Sequence, residues 1–533
     1  MAVCLISPRH RPSAWTYDYA VPFLQGAKRS WMVSGALVAV AALVPQPHTV
    51  ELVDENVQPI DLEDLQRFDV IGVTGTVAQA ERIFQILDDL RSLPATIVVG
   101  GPLVSISEQS FTGRCDVCFV GEADETWPKF LEALAAGEPV EARYEQADKT
   151  NMTTVPVPRF DLVRSAHYQL APIQFSRGCP FQCEFCDIIT VFGRRPRTKT
   201  PDQVIAEVEA LRAGGFRLCF LVDDNFIGNK VEAKRLLRRL VDWQRANGFP
   251  LQFSTEASLN LAEDPELLDL MHQANFRQVF VGIESPRAAS LAETKKHQNV
   301  GRDSLLTRIK RIRDGGIVVN GGFIIGFDND DLQIFEEQFE FIQASGIANL
   351  SMGPLIPVPT TPLFDRLKRE GRLDYSDPEI NYIPKLMTRE QLKTGVQDLL
   401  ERLFEPEVYF QRLFDGYAGS PEFRRRRAAV TVRPRPVQRL GQYAFAAVTA
   451  VRLARAMVAD GSVRKHAAAV FTVRARNRSL DADSRMDFPT LVGVWLSYWH
   501  FYKVARSRRA IVFEPVLEST SGSGQPAIVP AAS

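Results

Sequence analysis

Disulfides are not available to this chain as a framework. Its 533 residues hold seven cysteines, three of them clustered and Cys4, Cys115, Cys118 and Cys219 scattered. No signal peptide stands at the amino end, so a reducing cytoplasm is the expected setting. The apolar run at 30–44 is too short to span a bilayer and is interrupted by Ser34 and Gly35, so it reads as a buried helix. Helix-turn-helix, zinc-finger and ribonucleoprotein-type aromatic patterns are all missing, which leaves nucleic acid without a reader. Disorder is excluded by composition: 45% apolar and 24% charged residues supply core for two to four globular domains. The net charge of −1 is unevenly spread. Between Phe423 and Arg509, 19 Lys and Arg stand against 4 Asp and Glu, a local +15 that leaves the remainder at −16.

What is present is one dense constellation, Cys179-Pro180-Phe181-Gln182-Cys183-Glu184-Phe185-Cys186. Cysteines at spacings of four and three bring three thiolates from one loop to a single inorganic centre. Zinc needs a fourth nitrogen or sulfur ligand, and no Cys or His follows within ten residues of Cys186. A [4Fe–4S] cluster on three thiolates suits the pattern better than zinc or three buried structural cysteines, and it leaves one iron open to a small molecule. These residues resemble the signature of the radical S-adenosylmethionine (SAM) superfamily, in which the open iron chelates the amino and carboxylate groups of SAM.

Residues 1–145 read as an α/β, doubly wound parallel sheet. Short apolar runs at 3–6, 50–53, 70–73, 97–99 and 117–120 alternate with helical patterns at 30–43, 78–90 and 126–136. Ligands of such sheets sit beyond the carboxyl ends of the strands, here at Ser7-Pro8-Arg9-His10, Thr74-Gly75-Thr76, Gly100-Gly101-Pro102 and Gly121-Glu122-Ala123-Asp124. Small residues there admit a large planar ligand or simply make tight turns. The stretches 98–102 and 119–122 resemble the Rossmann-like cobalamin-binding domains that precede many radical SAM cores. That resemblance implies cobalamin contacts at Thr74, Thr76, Gly100, Gly101, Gly121 and Glu122. The Asp-x-His-x-x-Gly loop of domains that ligate cobalt through histidine is absent, so the implied cobalamin has no histidine ligand.

A linker is expected at 146–168, stiffened by Pro156 and Pro158. From 169 to 356 the alternation resumes, with strands at 172–175, 218–222, 251–255, 279–283, 318–325 and 350–356. Six βα units suit a partial parallel barrel whose reactive face lies at the strand ends. Asp223-Asp224-Asn225, Glu256 with Ser258, Gly282-Ile283-Glu284-Ser285 and Gly326-Phe327-Asp328 stand there in turn. Singly, an acid such as Asp224 is as well read as a helix N-cap. As a set they resemble the superfamily's SAM-binding segments, which assigns Asp223 and Asp224 to the methionine amino group, Glu256 to the ribose, and Gly282 with Glu284 to the adenosyl site.

Residues 357–510 form a mainly helical, basic region, and 511–533 read as a disordered tail. The segment 357–364 resembles one following the barrel in the branch of hopanoid C-2 methylases and tetrapyrrole side-chain methylases. The stretch 488–509, aromatic with a cationic end, has the composition of an interfacial helix and equally of a core helix packed on the barrel. The resemblance as a whole implies a class B, cobalamin-dependent methylase. In that family one SAM supplies the methyl carried by cobalamin, and a second yields the 5′-deoxyadenosyl radical that activates an inert carbon. The implied substrate is a hopanoid or similar polycyclic lipid, the implied electron donor a ferredoxin or flavodoxin, and the implied setting cytoplasmic with peripheral contact at the inner membrane surface. Cyclisation or oxidation of a tetrapyrrole or natural-product intermediate is the alternative chemistry. A non-enzymatic metal-binding regulator is the remaining one.

Overall fold

Two parallel sheets and a helical carboxyl region build the protein, in a computed structural model that describes residues 1–377, 379–418, 420–430, 436–480 and 485–507. The expected tail at 511–533, and the cations Arg433, Arg435, Arg508 and Arg509, lie outside the described residues. The strands are β1 Ala2–Ser7, β2 Ser30–Met32, β3 Thr49–Asp54, β4 Val70–Thr74, β5 Thr96–Gly100, β6 Val117–Val120, β7 Arg143–Glu145, β8 Tyr168–Ile173, β9 Ser176–Arg177, β10 Arg197–Thr198, β11 Leu218–Leu221, β12 Gln252–Glu256, β13 Phe276–Glu284, β14 Val318–Ile325 and β15 Leu350–Pro354.

The first sheet runs β3-β1-β4-β5-β6-β7, all parallel. Both faces are covered, which is why its strands are continuous apolar runs rather than alternating ones. Ile83, Ile86, Leu87 and Leu90 of helix Ala80–Leu90 pack on one face, and Leu37, Ala41, Trp127, Phe130 and Leu131 on the other. The strand order reverses between β1 and β4, which places the crevice for a ligand above Ser7 and Thr74.

The second sheet runs β15-β14-β13-β12-β11-β8-β2, again parallel throughout, and curls into a partial barrel. Its six expected strands are present, and β2 adds a seventh. Residues 30–43 therefore do not form one helix: Ser30 and Met32 pair with Tyr168 and Leu170, and the helix spans Gly35–Ala42. Gly35 permits the close approach that follows, since a Cβ there would stand 3.1 Å from Pro172. Side chains alternate across the barrel strands as pleating requires. Val279, Val281 and Ile283 are buried toward the helices, whereas the half-buried Gln278, Phe280 and Gly282 face the lumen.

The Pro-punctuated stretch 155–159 crosses between the sheets without helix or strand. Beyond the barrel, the last described helix is Phe488–Arg506, capped by Asp487, which accepts from Thr490 N at 3.0 Å. Of the two readings of this stretch, the structure selects the core helix. Tyr498, Trp499, Phe501 and Tyr502 are buried, with Phe501 stacked on Phe404 at 5.4 Å and Tyr498 5.0 Å from Tyr409. Among the described residues no helix is long and apolar enough to cross a membrane.

Candidate active site

The cysteine loop leaves β9 and returns through β10 at the carboxyl end of β8. Gly178 opens it at φ +95°, where a Cβ would fall 2.9 Å from Gly193 O and 3.0 Å from Arg195 O, so only glycine fits. Cys179 N donates to Gly193 O at 3.2 Å and Cys186 N to Cys183 O at 3.2 Å, which folds the loop back on itself. Gln298 Nε2 lies 3.3 Å from Cys183 Sγ, and Asn225 Nδ2 lies 3.9 Å from Cys179 Sγ. Burial pushes the Cys179 and Cys186 thiols up from their ordinary value, so these sulfurs ionise when a cation compensates them. Among the described residues no three Cys, His, Asp or Glu converge tightly enough for a single ion.

Three carboxylates border this loop. Asp223 is fully buried and both of its oxygens are engaged, Oδ1 by Phe175 N at 2.7 Å and Oδ2 by Ser176 Oγ at 2.6 Å. Asp224 Oδ2 accepts from Gly178 N at 2.7 Å. These acids fix the start of the cysteine loop. The N-cap of helix Lys230–Asn247 is Asn229, so Asp224 and Asn225 are not caps. Glu256, by contrast, makes no hydrogen bond or ion pair through its carboxylate among the described residues. Burial, with the charges of Asp224 and Asp223 beside it, raises Glu256 to about 7. Burial likewise raises Asp223 to about 7 and Asp224 to about 6. A cationic ligand placed among these acids would relieve all three, which is the complement a sulfonium and an ammonium require.

Gly282 and Glu284 lie at a bulge of β13 against β14. Glu284 adopts φ +67°, a strained conformation for a residue with a Cβ, and its Oε1 accepts from Lys296 Nζ at 2.7 Å. A Cβ on Gly282 would fall 2.3 Å from Glu284 Oε1. Asn299 Nδ2 donates to Gly282 O at 2.9 Å and Ile283 O at 3.0 Å, bracing the segment. Lys296, Gln298 and Asn299 went unnoticed in the sequence, because no motif marks them and only the fold brings them back to the cluster loop.

On the first sheet, Gly101 sits at φ +100° with no room for a Cβ, which would meet Thr74 Oγ1 at 2.4 Å. Thr76 forms a capping box with Gln79, whose Nε2 donates to Pro8 O at 2.5 Å. Gly100 abuts Phe119, a Cβ there lying 3.4 Å from Phe119 Cβ. Gly121, at φ +72°, faces open space and its N donates to Ser105 Oγ at 2.9 Å. Glu122 differs from the rest: Oε1 takes Arg177 Nη1 at 2.8 Å and Arg197 Nη1 at 3.0 Å, and Oε2 takes Thr150 N at 3.2 Å. This carboxylate ties the first sheet to the cysteine loop.

Residues 173–342 match the family model of the radical SAM superfamily, and 361–511 match that of a domain of unknown function, DUF4070. An uncharacterized methyltransferase of Synechocystis sp. is 37% identical, over 77% of this chain and 78% of that protein. The hopanoid C-2 methylase of Rhodopseudomonas palustris is 34% identical, with coverage again 77% and 78%. Among solved structures, the cobalamin-dependent SAM radical enzyme OxsB shares the fold at a TM-score of 0.61 and 16% identity, covering 94% of this chain and 79% of that one. The radical SAM methyltransferase TsrM from Kitasatospora setae does so at 0.55 and 18%, covering 69% and 76%. With the three-cysteine loop, the carboxylates at successive barrel-strand ends and a doubly wound sheet in front, the chain belongs to the class B radical SAM methyltransferases.

Proposed function

We propose that the protein methylates an unactivated carbon of a hopanoid or similar polycyclic lipid, using a [4Fe–4S] cluster on Cys179, Cys183 and Cys186, SAM beside Asp224 and Glu256, and cobalamin over the first sheet. The observation that carries the substrate is the 34% identity to a hopanoid C-2 methylase over 78% of that enzyme's length. Together the bound groups supply a low-potential electron, a carbon-centred radical and a transferable methyl group. The chain's own work is to hold them, orient them and keep water away. Gly178, braced by Asp224, sets the cysteine loop. Glu256, which the resemblance assigned to the ribose, is placed here toward the cationic end of SAM, because its carboxylate is unpartnered among the described residues whereas both oxygens of Asp223 are engaged.

The lumen supports a flat apolar substrate. Trp15, in the segment after β1, sets its ring 4.4 Å from that of Phe280 on β13 and stays 45% exposed. The Phe280 ring covers Gly322, where a Cβ would fall 2.8 Å from its Cζ, whereas a Cβ at Gly353 would meet nothing within 4 Å and leaves open space. A flat aromatic wall beside such a space suits fused rings. A single-electron donor of the ferredoxin or flavodoxin class completes the reading.

The test compares lipids of a deletion strain with its parent by mass spectrometry and assays the purified protein with the lipid that changes. Loss of one methyl-bearing species, together with formation of S-adenosylhomocysteine and 5′-deoxyadenosine in vitro, is expected. Unchanged lipids would sink the lipid substrate. 5′-Deoxyadenosine without S-adenosylhomocysteine would replace methylation by another radical reaction.

A further inference from the structure

Helix Pro436–Ala459 carries two apolar stripes. One, through Ala446, Thr449, Leu453 and Met457, is buried. It seats the helix on the segment near Val21–Phe23, where Arg452 Nη2 donates to Pro22 O at 2.7 Å. The other stripe runs Val437, Leu440, Val448, Val451 and Val458 at helical spacing and faces solvent, each residue between 54 and 82% exposed. The following helix, Val463–Ser479, repeats the pattern: His466, Ala469, Val473 and Asn477 are inside, while Val470 and Phe471 are outside, Phe471 73% exposed. A helix on a soluble protein ordinarily turns its polar face outward.

Charge accompanies the exposed stripe. Residues 436–479 contain eight Arg and Lys and one acid, Asp460, which is taken by Lys503 at 2.6 Å. Lys465 and Arg476 reach Glu405 and Asp415. Arg439, Arg455, Arg464, Arg474 and Arg478 have no carboxylate partner among the described residues. Nucleic acid would answer the cations but offers nothing to a row of valines. A protein partner would answer the valines without requiring the one-signed charge. An anionic bilayer answers both, apolar side chains entering the acyl boundary and guanidinium groups meeting phosphates. At 1.5 Å per residue the longer helix extends about 36 Å, a length suited to lying along a surface.

We propose that helices Pro436–Ala459 and Val463–Ser479 form a membrane-docking face that lays the protein on an anionic bilayer. This moves the contact away from the aromatic helix Phe488–Arg506, whose rings are core. It stands independently of the substrate, because docking is read without turnover.

Full-length protein would be sedimented with vesicles of phosphatidylglycerol and phosphatidylcholine, and with phosphatidylcholine alone. Binding to the anionic vesicles, weakened several-fold by raised salt, is expected, with little on the neutral ones. Val448→Asp with Val451→Asp should lower binding at least tenfold while circular dichroism and iron content stay unchanged. Arg455→Glu with Arg464→Glu should lower it and reduce its salt dependence. Wild type that ignores anionic vesicles, or variants that bind as well as wild type, would overturn the proposal. So would a wild-type dimer that the valine variant splits without vesicle binding, or binding to nucleic acid in place of vesicles.

Discussion

Arg177 reaches from the cysteine loop to Asp124 at the end of the first sheet, its Nη1 2.6 Å from Asp124 Oδ2. Side-chain exposure is 11% for both, so the pair is sheltered from the screening that makes surface ion pairs weak. Burial opposes the charge of each group, but their mutual attraction prevails: Asp124 is held below its ordinary value and Arg177 above. Arg177→Ala would strand Asp124, and part of Glu122, without its cation, at a cost of about 3–5 kcal/mol. Urea unfolding should show that loss, and equal stability of variant and wild type would mean that the sheets are joined by other contacts.

Cys183 is buried and touched by Gln298, and its thiolate is one of three available to a cubane. Anaerobic reconstitution should load about four irons per chain. Cys183→Ala should abolish both that loading and SAM cleavage, whereas Cys219→Ala, at a buried core cysteine in β11, should leave both intact. Iron and SAM cleavage retained in the Cys183 variant would remove the cluster from this loop.

For Glu256 the sign of the pH effect is fixed by burial and the neighbouring acids. Its folded-state value of about 7 lies above the reference 4.5. Folding therefore takes up protons between those values, and the ligand-free protein loses this contribution as pH rises through 7. SAM binding runs the other way, because a cation is best received by ionised carboxylates and releases their protons. Affinity measured by calorimetry should tighten on the order of tenfold between pH 6 and pH 8, and Glu256→Gln should flatten that dependence. A flat profile in wild type would take Glu256 out of the SAM site.

Cobalamin uptake is best tested at Gly121. At Gly101 a side chain would collide with Thr74 and strain the backbone, so loss of cobalamin there would not distinguish a blocked crevice from a damaged loop. A Cβ at Gly121 meets no atom within 4 Å. Gly121→Phe should prevent retention of cobalamin through gel filtration while iron content is kept, and Gly121→Ala, which carries the same backbone strain at φ +72° without the bulk, should retain it. The wild-type complex should show a base-off absorption spectrum. Retention by the Phe variant would move the cofactor away from this strand end.

The parts legible in the sequence were those with local signals. The three cysteines declare themselves by spacing, and the barrel strands by apolar runs at βα intervals. Parts that depend on distant partners were not legible. Nothing near Ser30 reveals that Tyr168 will pair with it, so an apolar run became one helix. Glu122 stood among small strand-end residues, yet its partners Arg177 and Arg197 lie on the cysteine hairpin. Phe488–Arg506 carries enough Trp and Tyr for an interface, and composition cannot tell that His466, Tyr409 and Phe404 will enclose those rings. The outer valines of Pro436–Ala459 share their spacing with its core stripe, which hides in sequence which side is which.

During synthesis, β2 leaves the ribosome long before β8, the strand it pairs with. Ser30–Met32 must wait, unpaired, while the first sheet is completed around β1, β3, β4, β5, β6 and β7. The amino-terminal half thus contributes a short edge strand to the barrel, Ser30 pairing with Tyr168 and Met32 with Leu170. Cutting the gene at the crossing would release a first fragment whose own sheet is complete but whose β2 is unpaired, and a second whose sheet lacks that strand, so the halves should recover activity only when they are made together and fold as a pair.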